Sequence, residues 1–250
     1  MPNSNPQGLL IFGGTSAIAL AVARLAAARG DKVFLVGRDA EKLAIVARDL
    51  ETRSGQSVGY ARADFLSAES VEAVLERAER FLSRIDVVLI AHGMLPDAAV
   101  EAPPWAQIEE CLRVNFLSPV LIAEAAVRVL SRQRSGALVI IGSVAGDRGR
   151  RRNLHYGAAK GGLERYAQGL RARLHDTGVR VVLIKPGMVD TPMTAHLPKG
   201  RLFAQPETVA RRIVQSFTSG PETVYTPWIW RIIMGIIKVI PEPIFKKMTF

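Results

Sequence analysis

Short apolar runs alternate with longer amphipathic stretches along most of the chain, each pair separated by a turn rich in Gly, Asp or Ser. The expected strands are Leu9 to Phe12, Lys32 to Val36, Ser57 to Ala63, Asp86 to Ile90, Ala137 to Ile141 and Val179 to Ile184. Several are apolar at consecutive positions, which suits strands covered on both faces. Between them the pattern predicts helices over Ala17 to Arg29, Ala40 to Arg53, Ala68 to Leu82 and Trp105 to Leu130, with another beginning near Tyr156. Gly30 follows the first of these as a C-terminal cap. Residues 94 to 104 read as a Pro-containing loop. Six strands alternating with helices predict an α/β fold, a doubly wound parallel sheet in a single domain, with ligands at the strand carboxyl ends. Residues 1–220 account for this domain, and residues 221–250 read as an apolar and basic C-terminal extension.

The first strand runs into Gly13-Gly14-Thr15-Ser16-Ala17-Ile18-Ala19 and then a helix, the Rossmann-like order. Free N–H groups and the dipole at such a helix start attract phosphate. Gly13 fits the first glycine of a dinucleotide turn, while Ala17 and Ala19 stand where the second and third would be. The turn is therefore either a plain structural turn or a phosphate seat. At the end of the second strand an NAD-selective site carries an acidic residue. Gly37 stands there, followed by Arg38, whose guanidinium suits a 2′-phosphate and favours NADP(H) over NAD(H), unless it is a plain surface arginine. Asp64 follows the third strand, where it would lie near an adenine ring. The fourth strand opens into Ala91-His92-Gly93, and His92 reads as cofactor lining rather than as a catalytic group.

Ser143 closes the fifth strand, and Tyr156 and Lys160 follow four residues apart on a helix, hence on one face. A cation near a phenol stabilises phenolate, so the spacing predicts a lowered Tyr156 pKa. The bland alternative is a buried aromatic beside a solvated lysine. Asn115 sits in the middle of the long helix, where asparagine is a poor helix former unless its amide is used.

Hydrophobic content of 48% and charged content of 22% are ordinary for a folded α/β domain. The one cysteine, Cys111, excludes an internal disulfide framework and suits a reducing cytoplasm. Residues 1 to 8 are polar and do not resemble an export signal. The net charge of +10 is compatible with nucleic acid, an anionic membrane or a phosphorylated substrate. No zinc-ligand spacing, RNA-binding aromatic pattern or lysine-rich tail accompanies it, so neither a metal nor nucleic acid is expected.

Gly13 with its short turn, Asp64, Ala91-His92-Gly93, Asn115, Ser143, Tyr156-x-x-x-Lys160 and Pro186-Gly187 together resemble the short-chain dehydrogenase/reductase family over about residues 8 to 195. The resemblance implies an NAD(P)-dependent enzyme whose catalytic residues are Asn115, Ser143, Tyr156 and Lys160. Tyr156 would protonate a carbonyl oxygen while NAD(P)H delivers hydride to carbon, and Ser143 would hydrogen-bond the same oxygen. Lys160 would hold the nicotinamide ribose, and Asn115 would anchor a relay water. Gly13, Thr15, Ser16, Ile18, Arg38, Asp64, Ala91, Gly93, Pro186, Gly187, Val189 and Thr191 would join Tyr156 and Lys160 around the cofactor. Ala91-His92-Gly93 stands where the family has Asn-Ala-Gly. Proteins resembling this one commonly pair subunits through the helices around Asn115 and Tyr156, which implies a homo-oligomer.

Within the family, the opening Gly-Gly-Thr-Ser, the loop Gly146-Asp-Arg-x-Arg-Arg-x-Asn-x-x-Tyr156-Gly and the C-terminal segment resemble reductases of decaprenylphosphoryl-2-keto-pentoses. That resemblance implies a lipid-phosphate sugar substrate in cell-wall arabinan synthesis and a partner oxidase. Arg148, Arg150, Arg151 and Arg152 form a basic loop suited to phosphate, or simply a solvated one. The run from Trp228 to Ile240 carries Trp228 and Trp230, with Arg231 and Lys238 as its only charges and Lys246 and Lys247 beyond. It is too short to span a bilayer, since a span takes ~20 residues. It reads as a lid over the substrate, a subunit interface, a buried helix or a peripheral contact at the cytoplasmic face of the membrane. The alternatives to this substrate are another small or acyl-chain carbonyl compound, or a non-catalytic nucleotide-binding scaffold.

Overall fold

Every residue of β1 (Gly8–Phe12) is buried, because successive side chains of this strand serve opposite faces of a sheet that is covered on both. Residues 6–96 and 103–248 are described by the computed structural model of the chain. Among them the sheet has seven parallel strands in the order β3–β2–β1–β4–β5–β6–β7. The other six are β2 (Lys32–Gly37), β3 (Val58–Arg62), β4 (Val87–Ile90), β5 (Gly136–Ile141), β6 (Val179–Pro186) and β7 (Thr223–Thr226). The strand order reverses between β1 and β4, and a crevice opens at that switch point beyond the carboxyl ends.

Leu10, Phe12, Val88 and Ile140 pack on one face with α3 (Ala68–Leu82), α5 (Ser118–Gln133) and α6 (Leu154–Arg173). Leu9, Ile11, Leu35 and Val139 pack on the other with α1 (Ala17–Ala28), α2 (Ala40–Ser54) and α7 (Pro206–Gln215). Each such side chain, fully buried, contributes about 1.5–3 kcal/mol of burial free energy, so the two-sided core fixes the strand ends that carry the site. α4 (Trp105–Leu112) and α5 are joined through a π-helical segment, Arg113–Leu117. The stretch Trp105–Gln133 is apolar and long enough to cross a membrane, yet 56% of its apolar window is buried inside the domain. Ile122, Ala126 and Leu130 are fully buried in the core, which accounts for that composition.

Three features depart from the pattern-based expectation. The sheet gains a seventh strand, Thr223–Thr226, which is only four residues long and alternates between half-buried and buried positions. Its pairing with β6, from Leu183↔Thr223 to Pro186↔Thr226, joins Thr223–Thr226 to the edge of the sheet. α7 is the other addition, an amphipathic helix opened by Pro206 at its first position. The long helix expected from Trp105 is interrupted at Asn115, where the backbone widens into the π segment. The loop expected over residues 94 to 104 lies partly outside the described residues. After β7 come α8 (Ile229–Val239) and the single turn α9 (Glu242–Phe245).

Candidate active site

The turn after β1 is shaped by Gly13, whose φ of +85° lies in the left-handed region. A Cβ there would come within 2.6 Å of the His92 backbone nitrogen, so the turn is pressed against the end of β4. Ser16 caps α1, its Oγ accepting from the Ala19 N–H at 3.2 Å. The first N–H groups of a helix have no partner within it, and here they open toward a cavity of about 390 Å³. Thr15, Ser16, Ala17 and Ile18 line one end of that cavity. The small side chain of Ala17 leaves room at this end, which fits the pyrophosphate of a dinucleotide.

His92 lines the same cavity, with its Nε2 2.6 Å from Ser118 Oγ and its Nδ1 buried without a partner. Burial, assisted by the charges of Lys160 and Arg38, holds its pKa down at about 3, so the ring is neutral. Ala91 and Gly93 flank it and also line the cavity.

Ser143, Tyr156, Lys160 and Asn115 come from three elements and meet on this cavity. Ser143 ends β5, and its Oγ accepts from the Ala145 N–H at 3.1 Å. Tyr156 and Lys160 lie one turn apart on α6. The Asn115 amide explains the π segment: its Nδ2 donates to the carbonyls of Met94 (2.9 Å) and Cys111 (3.0 Å), and its Oδ1 accepts from the Met94 N–H (3.1 Å). The amide thus ties the loop after β4 to the helix that it interrupts.

The expectation of a lowered Tyr156 pKa is overturned. Burial pushes the phenol above its ordinary value, and a hydrogen bond with Ser143 offsets only part of this. Lys160 is itself buried, its pKa depressed to about 8, and its Nζ donates to the Ile141 carbonyl at 3.1 Å. The ammonium stands 5.8 Å from the centre of the Tyr156 ring. Desolvation therefore outweighs the neighbouring cation.

Pro186, Gly187, Val189 and Thr191 line the cavity from beyond β6. Gly187 is required there, because any Cβ would overlap the indole nitrogen of Trp230. Gly13, Arg38 and Asp64 stand outside the cavity wall. Arg38 is exposed just past β2, with its carbonyl accepting from Arg62 Nε at 3.2 Å. Asp64 is also exposed, and its Oδ1 accepts from the Leu66 N–H at 2.9 Å in the turn before α3.

The basic loop is divided in its use. Arg148, expected at a substrate phosphate, is instead a latch for the C-terminal helices. Its guanidinium donates to the carbonyls of Ile237 and Ile240, both at 2.6 Å, pairs with Glu242 at 3.0 Å and stacks 3.8 Å from the Phe245 ring centre. A cation suits the carboxyl end of α8, where carbonyls lack helical partners. Arg151 and Arg152 are exposed and do not line the cavity, and Trp228 is 67% exposed outside it. Arg150 and Trp230 do line it.

Behind this loop lies a buried charge cluster that the sequence analysis did not anticipate. Lys185 pairs with both Asp147 and Glu164, the latter at 2.8 Å, while the Tyr225 hydroxyl donates to Asp147 at 2.7 Å. A lysine near the end of a largely apolar strand, here Lys185 in β6, is the signal that a buried carboxylate waits opposite. Arg62, beside Arg38, was missed because only strand pairing, Gly37↔Arg62, brings it there.

The model of the short chain dehydrogenase family matches residues 7–202. An uncharacterized oxidoreductase of Streptomyces coelicolor is 36% identical over 247 residues, covering 98% of this chain and 96% of the relative. An uncharacterized oxidoreductase of Mycobacterium tuberculosis is 31% identical over 250 residues, covering 99% of both chains. Among solved structures, a short-chain type dehydrogenase/reductase from Mycobacterium ulcerans superposes with a TM-score of 0.82 at 22% identity, covering 89% of each chain. An actinorhodin polyketide ketoreductase variant with NADPH gives 0.78 at 21% identity, over 88% of this chain and 95% of that one. The fold, the matched segment and these relatives agree: the chain belongs to the short-chain dehydrogenase/reductase family of NAD(P)-dependent oxidoreductases.

Proposed function

We propose that the protein is a ketoreductase in which Tyr156 protonates a substrate carbonyl. The observation that carries this reading is the meeting of Ser143, Tyr156 and Lys160 on one cavity with the amino end of α1. Bound NAD(P)H supplies the hydride. Tyr156 Oη holds the proton and passes it to the carbonyl oxygen, and Ser143 Oγ donates a hydrogen bond to that same oxygen. Burial keeps the phenol protonated until charge develops on the substrate. Lys160, with its pKa near 8, carries most of a positive charge at neutral pH and offsets the phenolate that forms. Thr15, Ser16 and Ile18 would hold the cofactor phosphates, with Ala91, Gly93, Pro186, Gly187, Val189 and Thr191 around the nicotinamide half. Arg38 and Arg62, adjacent at the ends of β2 and β3, support a preference for NADP(H), because two guanidinium groups suit a 2′-phosphate.

The substrate we favour is the 2-keto pentose of a polyprenyl phosphate. Its support beyond the loop resemblance is α8, which turns Trp230 and Met234 inward. On its outer face it exposes Trp228, Ile232, Ile236 and Val239. Arg231 and Lys238 flank that outer face, and such a helix suits an anionic membrane surface. The test is NADPH oxidation with a prenyl-phosphate 2-keto pentose and with a short β-keto ester, each with and without anionic vesicles. Faster turnover of the lipid-linked ketone, raised by vesicles, is the expected result. Equal turnover of both, indifferent to vesicles, would move the assignment to a small carbonyl substrate.

A further inference from the structure

We infer that Arg150 and Trp230 form an anion seat within the catalytic cavity, which takes a phosphate or carboxylate carried by the ketone substrate near its reacting carbon. The inference rests on the reductase reading of the same cavity and adds the group by which the substrate is recognised. Two buried donors in the cavity wall lack partners, Arg150 Nε and Trp230 Nε1. Trp230 is only 6% exposed, and its indole nitrogen is packed against Gly187 on the cavity wall. A buried donor without an acceptor costs free energy, and native structures rarely leave one unless a ligand or water meets it.

The acid nearest in sequence does not pair with Arg150. Asp147 stabilises the guanidinium only through space, and its carboxylate is already held by Lys185 and the Tyr225 hydroxyl. Burial accordingly disfavours the charged form of Arg150. Among the described residues that line the cavity none is Asp or Glu, so its fixed charges, Arg150 and Lys160, are both cationic. Arg148, two residues earlier, shows the opposite case: both of its terminal nitrogens and one face of its guanidinium are engaged by the end of α8 and by α9.

The seat is also held in place from both sides. The Arg148 latch fixes the loop before Arg150, and the fit of the indole against Gly187 fixes Trp230. The wall also carries the apolar side chains of Met94, Leu95, Met188, Met193 and Leu197, together with the polar Asn153, Thr191 and Thr194. A ligand matching this wall carries one anionic group beside its carbonyl, with apolar and hydroxyl-bearing surface both accommodated. The phosphates of the cofactor are drawn instead to the amino end of α1, across the cavity on the turn after β1.

The test titrates NADPH-loaded protein at fixed ionic strength with phenylphosphonate, benzoate and neutral benzamide, followed by tryptophan fluorescence and by melting temperature. Wild type should bind at least one of the two anions about ten-fold more tightly than benzamide, the size of one charge-assisted hydrogen bond. Which anion wins identifies the substrate group as phosphate-like or carboxylate. In Arg150→Met the ratio should fall to near one, and in Arg150→Lys it should be intermediate because the charge survives without the fork. Trp230→Phe should lower the ratio by a smaller factor. A wild-type ratio near one, or an unchanged ratio in Arg150→Met, overturns the seat. Weaker NADPH binding in Trp230→Phe, with the anion ratio intact, would reassign the indole to the cofactor and remove it from the seat. If Arg150→Met fails to fold, wild type and Arg150→Lys still decide. Failure of NADPH-loaded wild type to reduce any ketone would sink the reductase reading alone, because the anion ratio is measured by binding.

Discussion

At the α1 end of the cavity the contacts come from backbone: a left-handed glycine, a capped helix and free N–H groups, all within residues 13 to 19. At the Trp230 end they come from side chains, and the pairs that hold them span 89 and 92 positions of sequence. The first end is shaped for a phosphate chain that any dinucleotide carries, and the second for one particular substrate. One is an outcome of local chain geometry, and the other depends on the late helices being folded against the loop before Tyr156.

Three perturbations probe that division. Replacing Arg148 by Ala should have the largest effect, because it removes bonds to two carbonyls, an ion pair and a stacked ring at once. A loss of roughly 3 to 4 kcal/mol is expected from a charged donor of this kind. Denaturant melts and limited proteolysis should show α8 and α9 released before the sheet. A fully cooperative, unshifted melt would mean that the latch does not hold the substrate end.

The second acts at the cofactor end through pH. His92 has a folded pKa near 3 against the ordinary 6.5. Its neutral form therefore contributes stability that is complete above pH 6.5 and lost as pH falls toward 3. The slope is at most about 1.4 kcal/mol per pH unit. Wild-type melting temperature should fall over this range more steeply than that of His92→Gln, and parallel curves would remove the histidine from the account. The smallest effect is Ser16→Ala, where losing the cap bond to the Ala19 N–H should cost about 1 kcal/mol. NADPH affinity should fall with it, and affinity for a neutral ketone should not.

The same division governs what the sequence discloses. The Gly13 turn, the α1 start, the Tyr156–Lys160 spacing and six strands were legible because each is set by neighbours a few residues apart. The β7 strand was not: four residues with only two buried side chains carry almost no periodic signal, and pairing with β6 creates the strand. The π segment at Asn115 was announced only as a helix-disfavouring residue, because its cause, the Met94 backbone, lies 21 positions away. Arg148 read as a phosphate ligand for the same reason, its carbonyl partners being invisible to local spacing. Tyr156 failed in a different way. Pairwise reasoning fixes the sign of a neighbouring charge, whereas desolvation is a property of the whole enclosing fold.

On the reading proposed above, the half-buried, protonated phenol of Tyr156 is the acid serving a hydride-transfer cavity. The most direct measurement is single-turnover loss of nicotinamide absorbance after mixing NADPH-loaded protein with ketone, wild type against Tyr156→Phe. The account predicts equal saturation by NADPH and decay slower by at least about 100-fold in the variant, the contribution of a positioned general acid. Equal decay rates in the two proteins would contradict it.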